Sequence, residues 1–110
     1  MASLNILMAQ MNTLVGDFDG NTQRVLDIVA GAATVHENAV VVFPELTLSG
    51  YPPEDLLLRP SIELRVSQSM DRLCTELPAT AWVVVGYPRK EGDALYNGAG
   101  VIHGNELVVE

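Results

Sequence analysis

Few side chains in this 110-residue chain could carry acid–base or nucleophilic chemistry, and their placement narrows the choice further. Glu45 stands first, because it closes the run "AVVVFPE" (Ala39 to Glu45), a single carboxylate delivered by a strongly apolar segment. In layered α/β folds, sites lie just past the carboxyl ends of strands, which is where Glu45 falls. Partial burial there would raise its pKa, as a general base working near neutrality requires. A strand-end carboxylate that faces water, or caps the next turn, satisfies position alone equally well. Tyr51, next to Gly50, offers a ring face and a hydroxyl to a ligand, or else packs against its own loop.

The other reactive residue types read as structural. Cys74 lies in "MDRLCTELP" with Met70, Leu73 and Leu77 around it at helical spacing, so a small buried hydrophobe is the better account than a nucleophile. His36 falls in the last turn of the first predicted helix and His103 precedes a hairpin turn. Neither has a Cys, an Asp or a second His at ligand spacing, so no metal site is expected. Lys90, the only lysine, sits in "RKEGD" and reads as a solvated turn residue. Gly16, Gly20, Gly98 and Gly100 match neither the dinucleotide nor the phosphate-loop pattern. On the residues alone, one well-placed carboxylate lacks the partners of a complete active site.

The elements that would position Glu45 follow from periodicity. "LNILMAQ" (Leu4 to Gln10) is short and apolar, as a buried strand is. "LVGDFDGNTQ" supplies a loop with several N-cap candidates, and from Thr22 the residues Val25, Ile28, Val29 and Ala32 predict a helix to about Glu37. "AVVVF" (Ala39 to Phe43) is β-branched and continuously apolar, which suits a strand covered on both faces. The loop after it is stiffened by Pro44, Pro52, Pro53 and Pro60, with Gly50 at one sharp bend. Pro53 is a good first residue for a helical turn through "EDLLL", whose N-terminus Glu54 and Asp55 favour electrostatically.

Ser61 can cap a second helix with the stripe Ile62, Val66, Met70, Leu73 and Leu77, stopped by Pro78. "AWVVVGYP" (Ala81 to Pro88) reads as another strand, "RKEGD" as a turn, and "ALYNGAGVI" (Ala94 to Ile102) as its antiparallel return. A two-residue turn beginning at Gly104 then leads into "ELVVE". The order β-α-β-loop-α-β-β-β predicts a single α/β layered domain over residues 1–110, with a mixed sheet.

Composition removes other classes. Hydrophobic residues make up 48% of the chain, as in a globular domain. Six basic against fourteen acidic residues give a net charge of −8, with no Lys/Arg cluster to replace counterions on nucleic acid or to bind an anionic membrane surface. The lone cysteine excludes an internal disulfide and fits a reducing compartment. "MASLNILMAQMN" has no basic leader and too short an apolar run for a signal or a span, so a cytoplasmic soluble protein is expected.

"FPELTLSGYPPEDLL" resembles the first catalytic motif of the nitrilase, or carbon–nitrogen hydrolase, superfamily, and within it the glutaminase domain of glutamine-dependent NAD synthetases. "MAQMNTLVGDFDGN" is similar to the first strand of that family and its "GD…GN" loop, and "AWVVVGYPRKEGDALYNGAGVIHGNELV" to its third strand and following hairpins. The resemblance implies a four-layer α-β-β-α sandwich, of which this chain is the N-terminal portion. It implies a Glu–Lys–Cys triad in which a cysteine thiolate attacks the amide carbon, a thioester forms and ammonia leaves. Glu45 matches the general base and acid, and Tyr51 a tyrosine in the loop beside the amide pocket.

Neither Lys90 nor Cys74 matches the other two members, which the family carries further along its chain, so the isolated chain is expected to be inactive. The implied substrate is a small amide, glutamine first. No cofactor is implied in this segment; ATP and Mg²⁺ belong to a downstream synthetase domain, and the intact protein is expected to form a homo-oligomer. Two alternatives stand beside this. One is a nitrilase-type amidase for another amide. The other is a self-contained doubly wound binding or signalling module with Glu45 as its acid, although "AQMN" supplies no acidic pair after the first strand.

Overall fold

The computed structural model describes residues 4–110; Met1 to Ser3, where the leader reading begins, lie outside the described residues. Eight elements follow in order: β1 (Ile6–Met8), α1 (Phe18–Val35), β2 (Val40–Val42), a 3₁₀ turn (Glu54–Leu58), α2 (Ile62–Glu76), β3 (Trp82–Glu91), β4 (Ala94–His103) and β5 (Glu106–Val109). The strands form one sheet in the order β1-β2-β3-β4-β5, with β1, β2 and β3 parallel and β4 and β5 antiparallel. This is the mixed α/β sheet expected, and it overturns the doubly wound module, which needs five parallel strands.

Both crossover helices lie on one face of the sheet, as two successive βαβ units advancing in the same direction require. Val25 and Val29 of α1 and Leu73 of α2 are fully buried there against Val41, Val83, Val85, Tyr87 and Ile102. Among the described residues the opposite face is open along β1, β2 and the first half of β3, until the turn after β2 crosses it at Gly86. Ile6, Val40 and Trp82 stand in register across it, as do Met8, Val42 and Val84. Ile6 and Met8 are exposed, and Val40, Val42 and Val84 are half-buried. The expectation that the first strand is buried and the second covered on both faces is therefore corrected: the helices shield only one face, reached from β1 by Leu7 alone.

Other boundaries move for local reasons. Helix α1 begins at Phe18 rather than Thr22, because Asp17 caps it, accepting from the Gly20 amide at 3.0 Å, while the Phe18 ring is buried. His36 lies just past the last turn, extended at φ −128° and ψ 109°, and not within it. Ser61 makes no capping bond: its backbone is already helical at φ −77° and ψ −7°, instead of the extended geometry that aims an N-cap oxygen at the first turn. Strand β3 runs on through Glu91, so "RKEGD" is mostly strand, with only Gly92 and Asp93 in the turn. Lys90 is thus an exposed strand residue paired with Leu95. The Gly104–Asn105 turn has the expected two residues, at φ +60° and +64°, the left-handed pair that suits a twisted hairpin.

One buried side chain joins the loops at the carboxyl ends of β1 and β2. Asn21 is fully buried on α1; its amide donates to Leu14 O at 2.8 Å and Leu48 O at 3.1 Å, and its oxygen accepts from Leu14 N at 3.0 Å. Gly16 N to Ser49 O, at 2.9 Å, adds a direct bond between the same loops. Asn21→Leu keeps the branched shape but strands three backbone groups, and a loss of about 2–4 kcal/mol is expected. Urea unfolding followed by circular dichroism measures it; a loss below about 0.5 kcal/mol would show that water replaces the amide.

Candidate functional site

The site begins where β2 stops. Phe43 still donates to Val84 O at 2.9 Å, but Pro44 has no N–H with which to extend the ladder, and the chain bends across β3. Residues 45–49 form a tight turn in which Leu46 is left-handed at φ +51° and Gly50 N donates to Leu46 O at 2.9 Å. The Thr47 hydroxyl donates to Pro44 O, the Ser49 hydroxyl to Leu46 O at 3.3 Å, and Leu48 N to Gly86 O at 3.2 Å. Leu46, Thr47, Leu48 and Ser49 are all buried.

Gly86 of β3 makes this approach possible. A Cβ there would stand 2.7 Å from Leu46 N, 3.0 Å from Pro44 O and 3.2 Å from the Glu45 carbonyl carbon, so no other residue fits beneath the turn without moving backbone. Glu45 is then held by its main chain to a rigid strand while its side chain is exposed. The described residues do not supply the partial burial that a base tuned to neutrality would need. Its Oε1 accepts from Asn97 Nδ2 of β4, which lies opposite Pro88 in the ladder. Beside it, Gln10, Met11, Asn12 and Pro44 line a cleft of about 340 Å³ at the carboxyl ends of β1 and β2.

Tyr51 lies in the same connection but is 62% exposed, so its ring is not packed into its own loop. A larger cleft of about 600 Å³ opens between Gly16, Pro53, Glu54, Arg59 and Arg65, and neither Glu45 nor Tyr51 lines it. Its walls mix Glu54, Asp55, Arg59 and Arg65 with Val15, Pro52, Pro53 and Leu56, and no residue of the turn after β2 lines it, so size alone does not select it as the site.

The remaining candidates hold structural positions. Cys74 is half-buried against the core, and its thiol is pushed up from its ordinary value by burial, then by Asp71 and Glu106, which leaves it a weak nucleophile at neutral pH. His103 stacks on Trp82 with ring centroids 3.8 Å apart and 8° between planes, its Nδ1 3.0 Å from Ala81 O. Tyr87 bonds Glu110 at 2.6 Å, and Arg89 bonds the same carboxylate at 2.6 Å. Burial, then that hydrogen bond to Glu110, raises the phenol well above its usual range; the bond from Tyr87, aided by Arg89 against a desolvation cost, lowers the Glu110 carboxyl.

Among the described residues no group of three His, Cys, Asp or Glu side chains could hold a metal ion. No described helix is long and apolar enough to cross a membrane.

Three contributors to the site escaped the sequence reading. Gly86 interrupts "VVVGYP", and a lone glycine in a strand signals close backbone approach. Asn97 is an amide in "ALYNGAG", a residue type strands disfavour. Asn21 reads as one more N-cap candidate, whereas it is buried inside α1. Gly86→Ala is expected to cost about 1–3 kcal/mol by overpacking. The same variant should shift the backbone amide resonances of residues 45–49, and unchanged resonances with unchanged stability would show that the turn has slack.

Residues 6–109 match the family model described as carbon-nitrogen hydrolase. Among curated relatives, a glutamine-dependent NAD(+) synthetase of Xanthomonas campestris is 41% identical over 100 residues, covering 91% of this chain and 18% of the relative. One from Aquifex aeolicus is 39% identical over 106 residues, covering 96% and 18%. The chain thus spans under a fifth of the length of these relatives. The solved glutamine-dependent NAD+ synthetase of Acinetobacter baumannii superposes with a TM-score of 0.86 at 30% identity, over 94% of this chain and 19% of that one. An amidase from Nesterenkonia shares the fold, with a TM-score of 0.83 at 21% identity over 96% and 41%.

Proposed function

The chain belongs to the carbon–nitrogen hydrolase family, an enzyme family, and on that footing we propose that it forms the opening part of a glutaminase domain. In this reading the whole protein releases ammonia from glutamine and passes it to ATP-dependent synthesis of NAD. The observation that carries it is Glu45, presented at the carboxyl end of β2 directly after Pro44, which lines a small cleft, on a turn packed against the backbone of β3. The synthetases related over nine-tenths of the chain support glutamine as the amide.

The proposed chemistry assigns Glu45 both halves of proton transfer. Its carboxylate takes the proton of a cysteine thiol as sulfur attacks the amide carbon, and returns a proton to the departing nitrogen, leaving a thioester and ammonia. Water then attacks the thioester; Glu45 takes its proton and gives one to sulfur, freeing glutamate and the thiol. A lysine stabilises the oxyanion of each tetrahedral state. That lysine and that cysteine lie outside this chain, because Lys90 is a strand residue facing water and Cys74 packs on the core.

Tyr51, exposed in the loop after Glu45, is the proposed contact to the substrate. Covering the open face of the sheet falls to a second sheet of the four-layer sandwich. ATP and Mg²⁺ belong to a separate synthetase domain, and the described residues offer no cluster for the metal. The whole protein is proposed to be cytoplasmic and homo-oligomeric.

In the full-length protein, Glu45→Ala should lower glutamine hydrolysis by about 10²–10⁴-fold, the usual contribution of a positioned acid–base group. Ammonia-dependent NAD synthesis should persist in the same variant. Retained glutaminase activity, or loss of both activities in a folded variant, would overturn the assignment. The purified 110-residue chain should release no ammonia from glutamine, measured by coupled ammonia detection.

A further inference from the structure

Glu45 ends in two oxygens on an exposed side chain, and only one of them is engaged by Asn97. An unheld glutamate in water samples several rotamers about its flexible side chain, and a base must meet its proton within hydrogen-bond reach. Three observations bring the Asn97 amide to it. Val84, Gly86 and Pro88 alternate along the open face of β3, and their ladder partners Val101, Ala99 and Asn97 share that face. The turn carrying Glu45 crosses the same face at Gly86, close enough to exclude a Cβ. Asn97, two residues before Ala99, the partner of Gly86, therefore projects from the neighbouring strand beside the turn, and its Nδ2 donates to Oε1.

The chemical type of this donor matters as much as its position. A lysine or arginine in its place would hold the carboxylate ionised through a full charge and weaken it as a base. An amide supplies direction with no net charge. It has no acidic proton to exchange with the substrate, so it cannot act in place of the base.

We propose that Asn97 is the positioning residue for the Glu45 carboxylate, fixing Oε1 and reserving Oε2 for proton transfer. This rests on the glutaminase reading of Glu45. A merely structural amide would anchor the turn, and its loss would lower stability without touching the titration of the reaction.

The test is a pH profile of kcat for glutamine hydrolysis by the full-length protein, wild type against Asn97→Ala and Asn97→Asp. Misplacing the base should lower kcat by about 10–100-fold, with KM changed less than about threefold, as expected when binding contacts survive. The two changes act in the same direction on the acidic limb. Asn97→Ala removes a bond to the ionised form, and Asn97→Asp sets a second carboxylate against it, so each moves the limb to higher pH, the Asp variant further.

Asn97→Asp is near-isosteric, so if the Ala variant fails to unfold cooperatively, the limb of the Asp variant decides alone. Unmoved limbs in folded variants, or losses confined to KM, would overturn the assignment while a dead Glu45→Ala control still upheld the glutaminase reading. An active Glu45→Ala control would instead remove both.

Discussion

The close contact between the turn after β2 and the backbone of β3 is the constraint from which the rest of the site follows. At Gly86 the sheet surface drops by the depth of one side chain, and residues 44–46 occupy that depth. The bond from Leu48 N to Gly86 O keeps them there, although it is a long one at 3.2 Å. Main-chain contact of this kind is stiffer than a side-chain contact, because neither partner has a rotamer to change. The buried Leu46–Ser49 segment satisfies its polar side chains locally, through Thr47 to Pro44 and Ser49 to Leu46. Rigidity at the Glu45 backbone and freedom at its side chain are two sides of that arrangement.

Asn21 carries the same constraint outward. Its three bonds tie the loop after β1 and the loop after β2 to α1. The same two loops carry the Gln10–Asn12 and Pro44 walls of the small cleft. A buried amide suits the task better than a charged group: it donates twice and accepts once here without the desolvation cost of an ion.

The legible part of the fold was the part written in hydrophobic period. The order of the elements, the mixed sheet and the Gly104 hairpin follow from apolar runs, helical stripes and turn residues. Burial was read less well, since "AVVVF" looks the same whether one face or two are covered, and only the placement of both helices shows that Val40 and Val42 stay half-buried. Helix α1 starts early because a buried aromatic, Phe18, follows the capping Asp17, a pairing that apolar spacing from Thr22 does not reveal. Glu45 is legible as a candidate because its position at the end of an apolar run is a feature of sequence. Asn97 is not, because its link to Glu45 spans 52 positions and exists only through the β3–β4 register.

The exposure of Glu45 bears on how such a site divides its labour. Position, main-chain rigidity and one amide bond are all supplied within a single sheet and its two helices. Desolvation is not, and desolvation is what raises a carboxyl toward the range where it both accepts and returns a proton readily. On the proposed reading, the elements that bring the nucleophile and the oxyanion donor must also be the ones that dry the carboxylate. The open sheet face that carries Ala99, Val101 and Val84 beside Asn97 is where such a cover would bury apolar surface next to Glu45.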